Sequence, residues 1–148
     1  MNPVDQALSI PFFDGLAARH RAALASHARV STFLEDEFVF RQDGHAATFW
    51  VLLEGRIALD VPSPHGDRVI ATLNQGDILG FSWLFAPHRW QFDARAMTLV
   101  TAVEFDGAAI RPACEDDHEL GFELMRRFAR IVTSRLQHTR IQLLDLYA

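Results

Sequence analysis

The chain has 148 residues, of which 49% are hydrophobic and 22% are charged, and its formal net charge is −5. This length fits one domain, since domains most often contain roughly 100–150 residues, and the composition excludes wholesale disorder. No apolar run approaches the ~18 residues of a membrane span, and the N-terminus lacks the basic start and apolar core of a secretory signal. One cysteine, Cys114, excludes an intrachain disulfide and favours a reducing cytoplasm.

The fourteen basic residues are all Arg. Five of them lie on the C-terminal segment, namely Arg126, Arg127, Arg130, Arg135 and Arg140. They form either an anion-binding stripe or, in the interpretation that we favour, the solvated side of an amphipathic helix. The negative net charge argues against a nucleic-acid-binding surface, which normally has a basic face. We therefore expect neither nucleic acid nor a membrane among the partners of this chain.

The N-terminal segment, residues 1–30, has the pattern of a helix. Apolar residues recur at spacings near three and four from Phe12 to Ala28. Asp14 is a candidate N-cap for the run LAARHRAALASHA that follows it. The pattern therefore predicts helix up to about Val30.

The middle zone, residues 31–106, has the pattern of a β domain. Short β-rich runs alternate with turn signals, and these runs are FVF, FWVLL, RIALDV, RVIATL and TLVTAVEF. Gly44, Gly55 and Gly66 are eleven residues apart, and Gly76 follows ten residues later. Turn residues at this spacing between short strands are typical of a β-sandwich or barrel and argue against βαβ units.

The last zone, residues 116–147, predicts a long helix or two helices with a bend. A heptad seam, with steps of four and three, consists of Met125, Ala129, Val132, Leu136, Thr139, Leu143 and Leu146. A second face, with Leu124, Phe128 and Ile131, is apolar only in the first half. We expect that half to pack on the β domain and the seam to form a homodimer interface. The alternative is a lone helix that packs only on the β domain.

Together these features resemble the cyclic-nucleotide-binding domain of the catabolite activator family. The resemblance covers nearly the whole chain and is most specific in LNQGDILG, from Leu73 to Gly80, and in the later strand that ends in Ala94-Arg95-Ala96. It implies a mainly β fold with flanking helices: an eight-stranded jelly roll, then a long C-terminal helix that dimerises and covers the ligand. On this basis residues 1–148 form a single domain, and we expect no DNA-binding domain after Ala148.

In this family a phosphate-binding cassette holds the cyclic nucleotide. After Gly80 the family has a Glu that binds the ribose hydroxyl, a small residue within a short helix, and later an Arg that neutralises the phosphate. Here Phe81 replaces the Glu, and Trp83 stands where a small residue is usual. Strand alternation puts Trp90 at the Arg position, whereas Arg89 comes one residue early and points to the opposite side.

The candidate ligand-binding residues are the cassette and its cover, namely Gly80, Phe81, Ser82, Trp83, Arg89, Trp90, Arg95 and Thr139. Arg89 or Arg95 would meet a phosphate if the shortened loop turned it inward, and Trp83 and Trp90 would stack on a base. The resemblance places Thr139 where the family has a purine-contacting Thr, although a polar residue that sets the register of the seam fits equally. We expect weak or no binding of cyclic AMP or cyclic GMP; the ligands to test are cyclic nucleotides and other small anionic or aromatic molecules.

No catalytic or metal-binding pattern stands out. The seven histidines are scattered without a His-x-His pair, and Cys114, in the predicted connection after the β domain, precedes three acidic residues that would raise its pKa. We therefore expect no enzyme, no cofactor and no metal. The sequence favours a cytoplasmic, non-catalytic small-molecule sensor that acts as a homodimer on an unidentified protein partner. The alternative is a ligand-free dimerisation or interaction module whose pocket is filled by Phe81, Trp83 and Trp90.

Overall fold

The computed structural model describes residues 1–64, 66 and 68–147. These residues form two four-stranded antiparallel sheets, and helices precede the first strand and follow the last one. The strands of this described part are β1 (Ala28–Phe33), β2 (Phe38–Phe40), β3 (Thr48–Glu54), β4 (Ile57–Val61), β5 (Arg68–Leu73), β6 (Ile78–Leu79), β7 (Asp93–Ala96) and β8 (Val100–Asp106). Its helices are α1 (Pro3–Leu8), a 3-10 helix (Pro11–Phe13), α2 (Ala18–Ala25), α3 (Gly107–Asp116) and α4 (His118–Tyr147). The sheet orders are β1-β8-β3-β6 and β2-β7-β4-β5. The predicted jelly roll with flanking helices and a long C-terminal helix is confirmed.

Two hydrophobic cores lie on opposite faces of the sheet that contains β3 and β8. Successive side chains of a strand point to opposite faces, and β3 is apolar at nearly every position. Trp50 and Leu52 face the inner core between the two sheets. Phe49 and Val51 face the outer core, where Phe128 and other helix residues pack on the sheet. The helices are therefore part of the folded core.

The helical prediction for the N-terminal segment is partly wrong. Residues 1–30 contain two short helices and a 3-10 helix, and β1 already begins at Ala28. No side chain caps α2, whose N-cap is Ala17, so Asp14 does not have the predicted role. Asp14 instead ends the 3-10 helix, and its carbonyl accepts a hydrogen bond from Arg127. The hydrogen bond from Arg127 therefore holds Asp14 at the end of the 3-10 helix, before α2 begins.

A helix that the sequence pattern did not predict connects the β domain to α4. It is α3, which begins with Gly107 and contains Pro112, two residues with low helix propensity that hide the signal. The Asp106 carboxylate caps α3 by accepting a backbone N–H at 3.2 Å, and Ile110 is buried in the outer core. Cys114 therefore lies on a helix rather than in a connecting loop.

The buried guanidinium of Arg127 fixes α4 to the N-terminal segment. It donates to the carbonyl of Phe12 at 2.8 Å and to that of Asp14 at 2.6 Å, and it contacts the Glu123 carboxylate on its own helix. Hydrogen bonds from Arg126 and Arg127 lower the pKa of Glu123 to about 2. Arg127 is only 4% exposed, and each of its three guanidinium nitrogens has a hydrogen-bond partner.

The exposed face of α4 carries the predicted heptad seam. Met125 is 41% exposed and Leu136 is 67% exposed, while Val132 is half-buried and Thr139 is exposed. The side chains of Leu143 and Leu146 lie outside the described part of the structure. No helix in the described ranges combines the length and apolar character that a bilayer span requires.

We expect Arg127→Met to lower the free energy of unfolding by about 2–4 kcal/mol, because the Phe12 and Asp14 carbonyls lose a charged donor and the Glu123 carboxylate loses an ion-pair partner. Arg126→Met is the matched control, since Arg126 lies on the same helix and pairs with the same carboxylate but is more exposed. It should cost less than about 1 kcal/mol. Urea denaturation measures both values, and equal losses for the two variants would contradict this role of Arg127.

Candidate ligand-binding site

The cassette segment, residues 80–92, connects β6 to β7 and forms two successive turns. The Leu84 N–H donates to the Phe81 carbonyl at 3.1 Å, and the His88 N–H donates to the Phe85 carbonyl at 2.9 Å. The short helix that the family resemblance implies is absent from this described segment. The segment therefore does not present the aligned N–H groups with which a helix N-terminus binds phosphate.

Gly80, the first residue of the cassette segment, is required there by sterics. Its φ is +96°, a conformation that side chains with a Cβ rarely adopt. A Cβ at this position would lie 3.1 Å from the Thr48 carbonyl oxygen and 3.2 Å from the Trp90 ring. Gly80 thus allows the cassette to start close to β3 and to the inner core.

Phe81 and Ser82 line a cleft of about 360 Å³ between the cassette segment and α4, here called the cassette-side cleft. Val132 of α4 and Arg89 contribute to the same walls. Phe81 packs edge-on against Phe92, with the ring centroids 6.0 Å apart. The residue that replaces the family Glu therefore makes this cleft largely apolar.

Trp83 does not reach this cleft, which corrects the expectation that its ring fills the pocket or stacks on a base. Its side chain is fully buried in the outer core, stacked on Phe49 at 5.1 Å and edge-on to Phe128 at 5.4 Å. A Cβ on Gly107 would lie 2.7 Å from the Trp83 ring, so α3 can pack there only because it begins with Gly. Trp83 fastens the cassette segment to the helices.

Trp90 occupies the inner core rather than an open pocket. Its ring stacks on Phe40 with the centroids 3.8 Å apart and the planes 6° from parallel. Trp90, Phe92 and Ala94 are all buried, as strand alternation predicts. Asp93 is the exception, because it is also buried and its carboxylate accepts a backbone N–H at 2.7 Å. An aromatic ring thus fills the space at the family's phosphate Arg position.

The two candidate arginines of the cassette region already have partners. The exposed Arg89 donates to the Asp43 carbonyl at 3.0 Å and lies at the edge of the cassette-side cleft. Arg95 lies 3.4 Å from the carboxylates of both Asp60 and Asp36. Neither arginine is turned toward the inner core, so the loop does not restore the family's phosphate contact.

Thr139 lies on the exposed seam, and its hydroxyl donates to the Arg135 carbonyl at 3.0 Å. It lines neither of the two clefts beside α4 within a single chain. A contact with a ligand would require the partner chain of a dimer, so its two interpretations remain predictions.

A second cleft, of about 560 Å³, lies on the other side of α4 and was not predicted. We call it the β5-side cleft; its walls include Thr72 of β5, Asp77 before β6, and Arg130, Arg135 and His138 of α4. The sequence contains a signal for it. The face of α4 toward the β domain continues with steps of four and three as Leu124, Phe128, Ile131, Arg135, His138 and Gln142. This face stops being apolar after Ile131, and its polar half indicates a solvated cleft in place of a packed contact.

The described residues contain no group of three or more His, Cys, Asp or Glu side chains that could hold a metal ion. Burial raises the pKa of the Cys114 thiol, and the carboxylates of Asp117 and Glu115 raise it further. A thiol with a raised pKa is mostly protonated at neutral pH and is a poor nucleophile.

The family model of the cyclic nucleotide-binding domain matches residues 30–117, which is more than half of the chain. The chain belongs to the cyclic-nucleotide-binding domain family. A CRP-like cAMP-activated global transcriptional regulator of Mycobacterium tuberculosis is 26% identical over 135 residues, which are 90% of this chain and 58% of the regulator. The domain thus spans less than two thirds of that relative.

Other relatives have the same domain. A cAMP-dependent protein kinase regulatory subunit of Mycosarcoma maydis is 26% identical over 106 residues, which are 70% of this chain and 19% of the subunit. A Geobacter metallireducens protein named for cyclic-nucleotide binding superposes with a TM-score of 0.81 at 27% identity, covering 92% of this chain and 98% of that chain. The catabolite activator protein of Thermus thermophilus shares the fold with a TM-score of 0.71 at 18% identity, covering 93% of this chain and 63% of that chain.

We expect Trp83→Leu to lower the free energy of unfolding by about 2–4 kcal/mol, because the smaller side chain leaves a cavity among packed rings. Phe122→Leu is the control, since Phe122 is exposed on α4; its cost should stay within about 0.5 kcal/mol. Urea unfolding followed by circular dichroism measures both. A loss below about 1 kcal/mol for Trp83→Leu would mean that the ring is not a core residue.

Proposed function

We propose that this domain is a non-catalytic regulatory module that senses a small molecule beneath α4 and transmits binding through that helix to a protein partner. The observation that carries the proposal is the position of α4 between two clefts, one shared with the cassette segment and one shared with β5. A ligand in either cleft touches the helix directly. The names of the relatives, a transcriptional regulator and a kinase regulatory subunit, agree with a regulatory role.

The exposed seam supports the proposal that two copies of this domain associate through α4 and that this association responds to the ligand. Large apolar side chains such as Leu136 and Met125 lie in a row on the solvent face of α4, and such rows commonly mark interfaces. The seam and the ligand clefts share one helix. Ligand binding would therefore bias the association of two copies if it moved that helix.

We expect Leu136→Glu to convert a homodimer to monomer, because it places two like charges in an apolar seam. Gln137→Glu is the matched control, since it adds the same charge at the next residue, off the seam, and should leave the dimer intact. Light scattering at tens of micromolar measures the mass of both variants. A wild-type protein that is already monomeric at this concentration would contradict the dimer.

The chemistry of the cassette segment argues that the ligand is not held as the family holds cyclic AMP. Phe81 stands at the ribose-binding position and Trp90 at the phosphate-binding position, and both Arg89 and Arg95 have other partners. Charge-assisted hydrogen bonds contribute roughly 1.5–3 kcal/mol each, so the loss of two should weaken binding roughly a hundredfold to ten-thousandfold.

We therefore expect cyclic AMP and cyclic GMP to bind with dissociation constants above about 1 µM, the level that corresponds to ~8 kcal/mol. Isothermal titration calorimetry with both nucleotides is the direct measurement. Tighter binding would show that the domain recognises the nucleotide by another route. Arg89→Ala and Thr139→Ala would then be the first variants to titrate.

A second candidate function is a ligand-free dimerisation or interaction module. The stack of Trp90 on Phe40 favours it, because these rings occupy inner-core space. Native mass spectrometry of the purified protein distinguishes the two functions. A small molecule that copurifies at one copy per chain supports the sensor, and its absence together with no thermal stabilisation by any metabolite pool supports the module.

We further propose that the domain acts in the cytoplasm on protein rather than on DNA. The net charge of −5 would repel a phosphate backbone, and the single cysteine suits a reducing compartment.

A further inference from the structure

We propose that Arg135 of α4 is the anion-binding residue of this domain, and that its ligand is a small organic anion with an apolar body held in the β5-side cleft. This inference deepens the proposed function and rests on it. The anion would lie against the helix rather than in the cassette segment.

Arg135 is a half-buried cation with one buried nitrogen that has no hydrogen-bond partner. Its Nη1 atom is buried and has no hydrogen-bond acceptor among the described residues. Its guanidinium carbon lies 5.7 Å from the centroid of the Phe92 ring, at the end of the inner core. Burial lowers the pKa of Arg135, and the Asp77 carboxylate only partly opposes this effect. A buried nitrogen without an acceptor is costly, and an oxygen of an anionic ligand would supply the missing acceptor.

Three arginines of α4 and the cassette region, namely Arg127, Arg95 and Arg89, differ from Arg135 because each has a hydrogen-bond or ion-pair partner. Arg127, which is also buried on α4, has two carbonyls and a carboxylate as partners. Arg95 faces two carboxylates, and Arg89 bonds to a carbonyl. These guanidinium groups are satisfied by the fold, whereas Arg135 lies in the wall of the β5-side cleft and its Nη1 atom has no hydrogen-bond acceptor among the described residues.

The β5-side cleft has the composition that a small organic anion requires. Arg130 and Arg135 lie in its walls with a single carboxylate, Asp77, because the charge of Arg127 is balanced by Glu123. The walls therefore carry one positive charge in excess. Apolar walls come mainly from Phe12, Leu73, Ile78 and Ile131. A volume of about 560 Å³ suits a ligand with one anionic group and an aromatic or aliphatic body.

The position of Arg135 on α4 links this site to the seam. Arg135 follows Ile131 on the face toward the β domain, and the next residue, Leu136, belongs to the exposed seam. An anion that draws Arg135 toward β5 would rotate or shift the seam at the same turn of the helix. The ligand site and the interface are therefore adjacent.

The test uses two fluorescent probes that share one ring skeleton and differ only in charge. Anilinonaphthalene sulfonate carries a sulfonate, whereas N-phenylnaphthylamine is neutral. We expect the wild-type domain to bind the sulfonate roughly ten- to a hundredfold more tightly than the neutral probe, the range of one charge-assisted contact. Arg135→Met should remove this preference, and Arg140→Met, an exposed arginine of the same helix, should leave it intact.

Two further measurements address probe binding elsewhere on the domain and a structural role of Arg135. Leu136→Glu should still bind the sulfonate, which excludes probe bound to the exposed seam. Thermal unfolding should show Arg135→Met to be at least as stable as wild type, because a cation without a partner is replaced by an apolar side chain of similar length. A purely structural Arg135 would instead give a clearly lower melting temperature.

The outcomes separate this inference from the proposed function. If both probes bind equally and Arg135→Met changes nothing, the anion site is wrong while a ligand-binding module still stands. If neither probe binds wild type, the anion site is wrong, and the choice between the sensor and the ligand-free module rests on the copurification experiment alone. A sulfonate preference that depends on Arg135 alone supports the inference.

Discussion

The arrangement of this domain depends on the buried hydrogen bonds of Arg127. They join the first half of α4 to the 3-10 helix of the N-terminal segment, so that this half packs in the outer core with Phe128. The second half lacks a comparable tie among the described residues. There the contacts with the β domain include the approach of Arg135 to Phe92 and a hydrogen bond of 3.3 Å from Gln142 to the Ile70 carbonyl. One helix thus has a fixed part and a weakly held part.

In the cassette segment, aromatic residues that pack in the cores stand where the family has ligand-binding or small residues. Trp83 anchors it to the outer core, and Trp90 anchors it to the inner core through Phe40. Gly80 allows the close approach between the segment and β3. The segment that the resemblance assigns to phosphate binding here connects the two cores through buried aromatic rings. Anion recognition in our proposal therefore belongs to α4, whose Arg130 and Arg135 lie in the β5-side cleft.

The fold could be predicted further than the site. Turn glycines and β-rich runs predicted the jelly roll, because hydrophobic alternation and turn chemistry are local properties. The helix α3 was missed because Gly107 and Pro112 are poor helix formers that tertiary packing overrides. Trp83 was misplaced because sequence alone does not tell which of two cores a ring enters. The unpaired state of Arg135 depends on the positions of distant carboxylates, so only the three-dimensional arrangement reveals it.

The location of α4 between two clefts has a pharmacological consequence. If the weakly held half of α4 moved as one body toward either side, widening one cleft would narrow the other. On the proposed function, a compound in the cassette-side cleft would then oppose one in the β5-side cleft, although the two clefts share no lining residue. Under that proposal, two ligands of opposite preference would shift the population of helix positions in opposite directions.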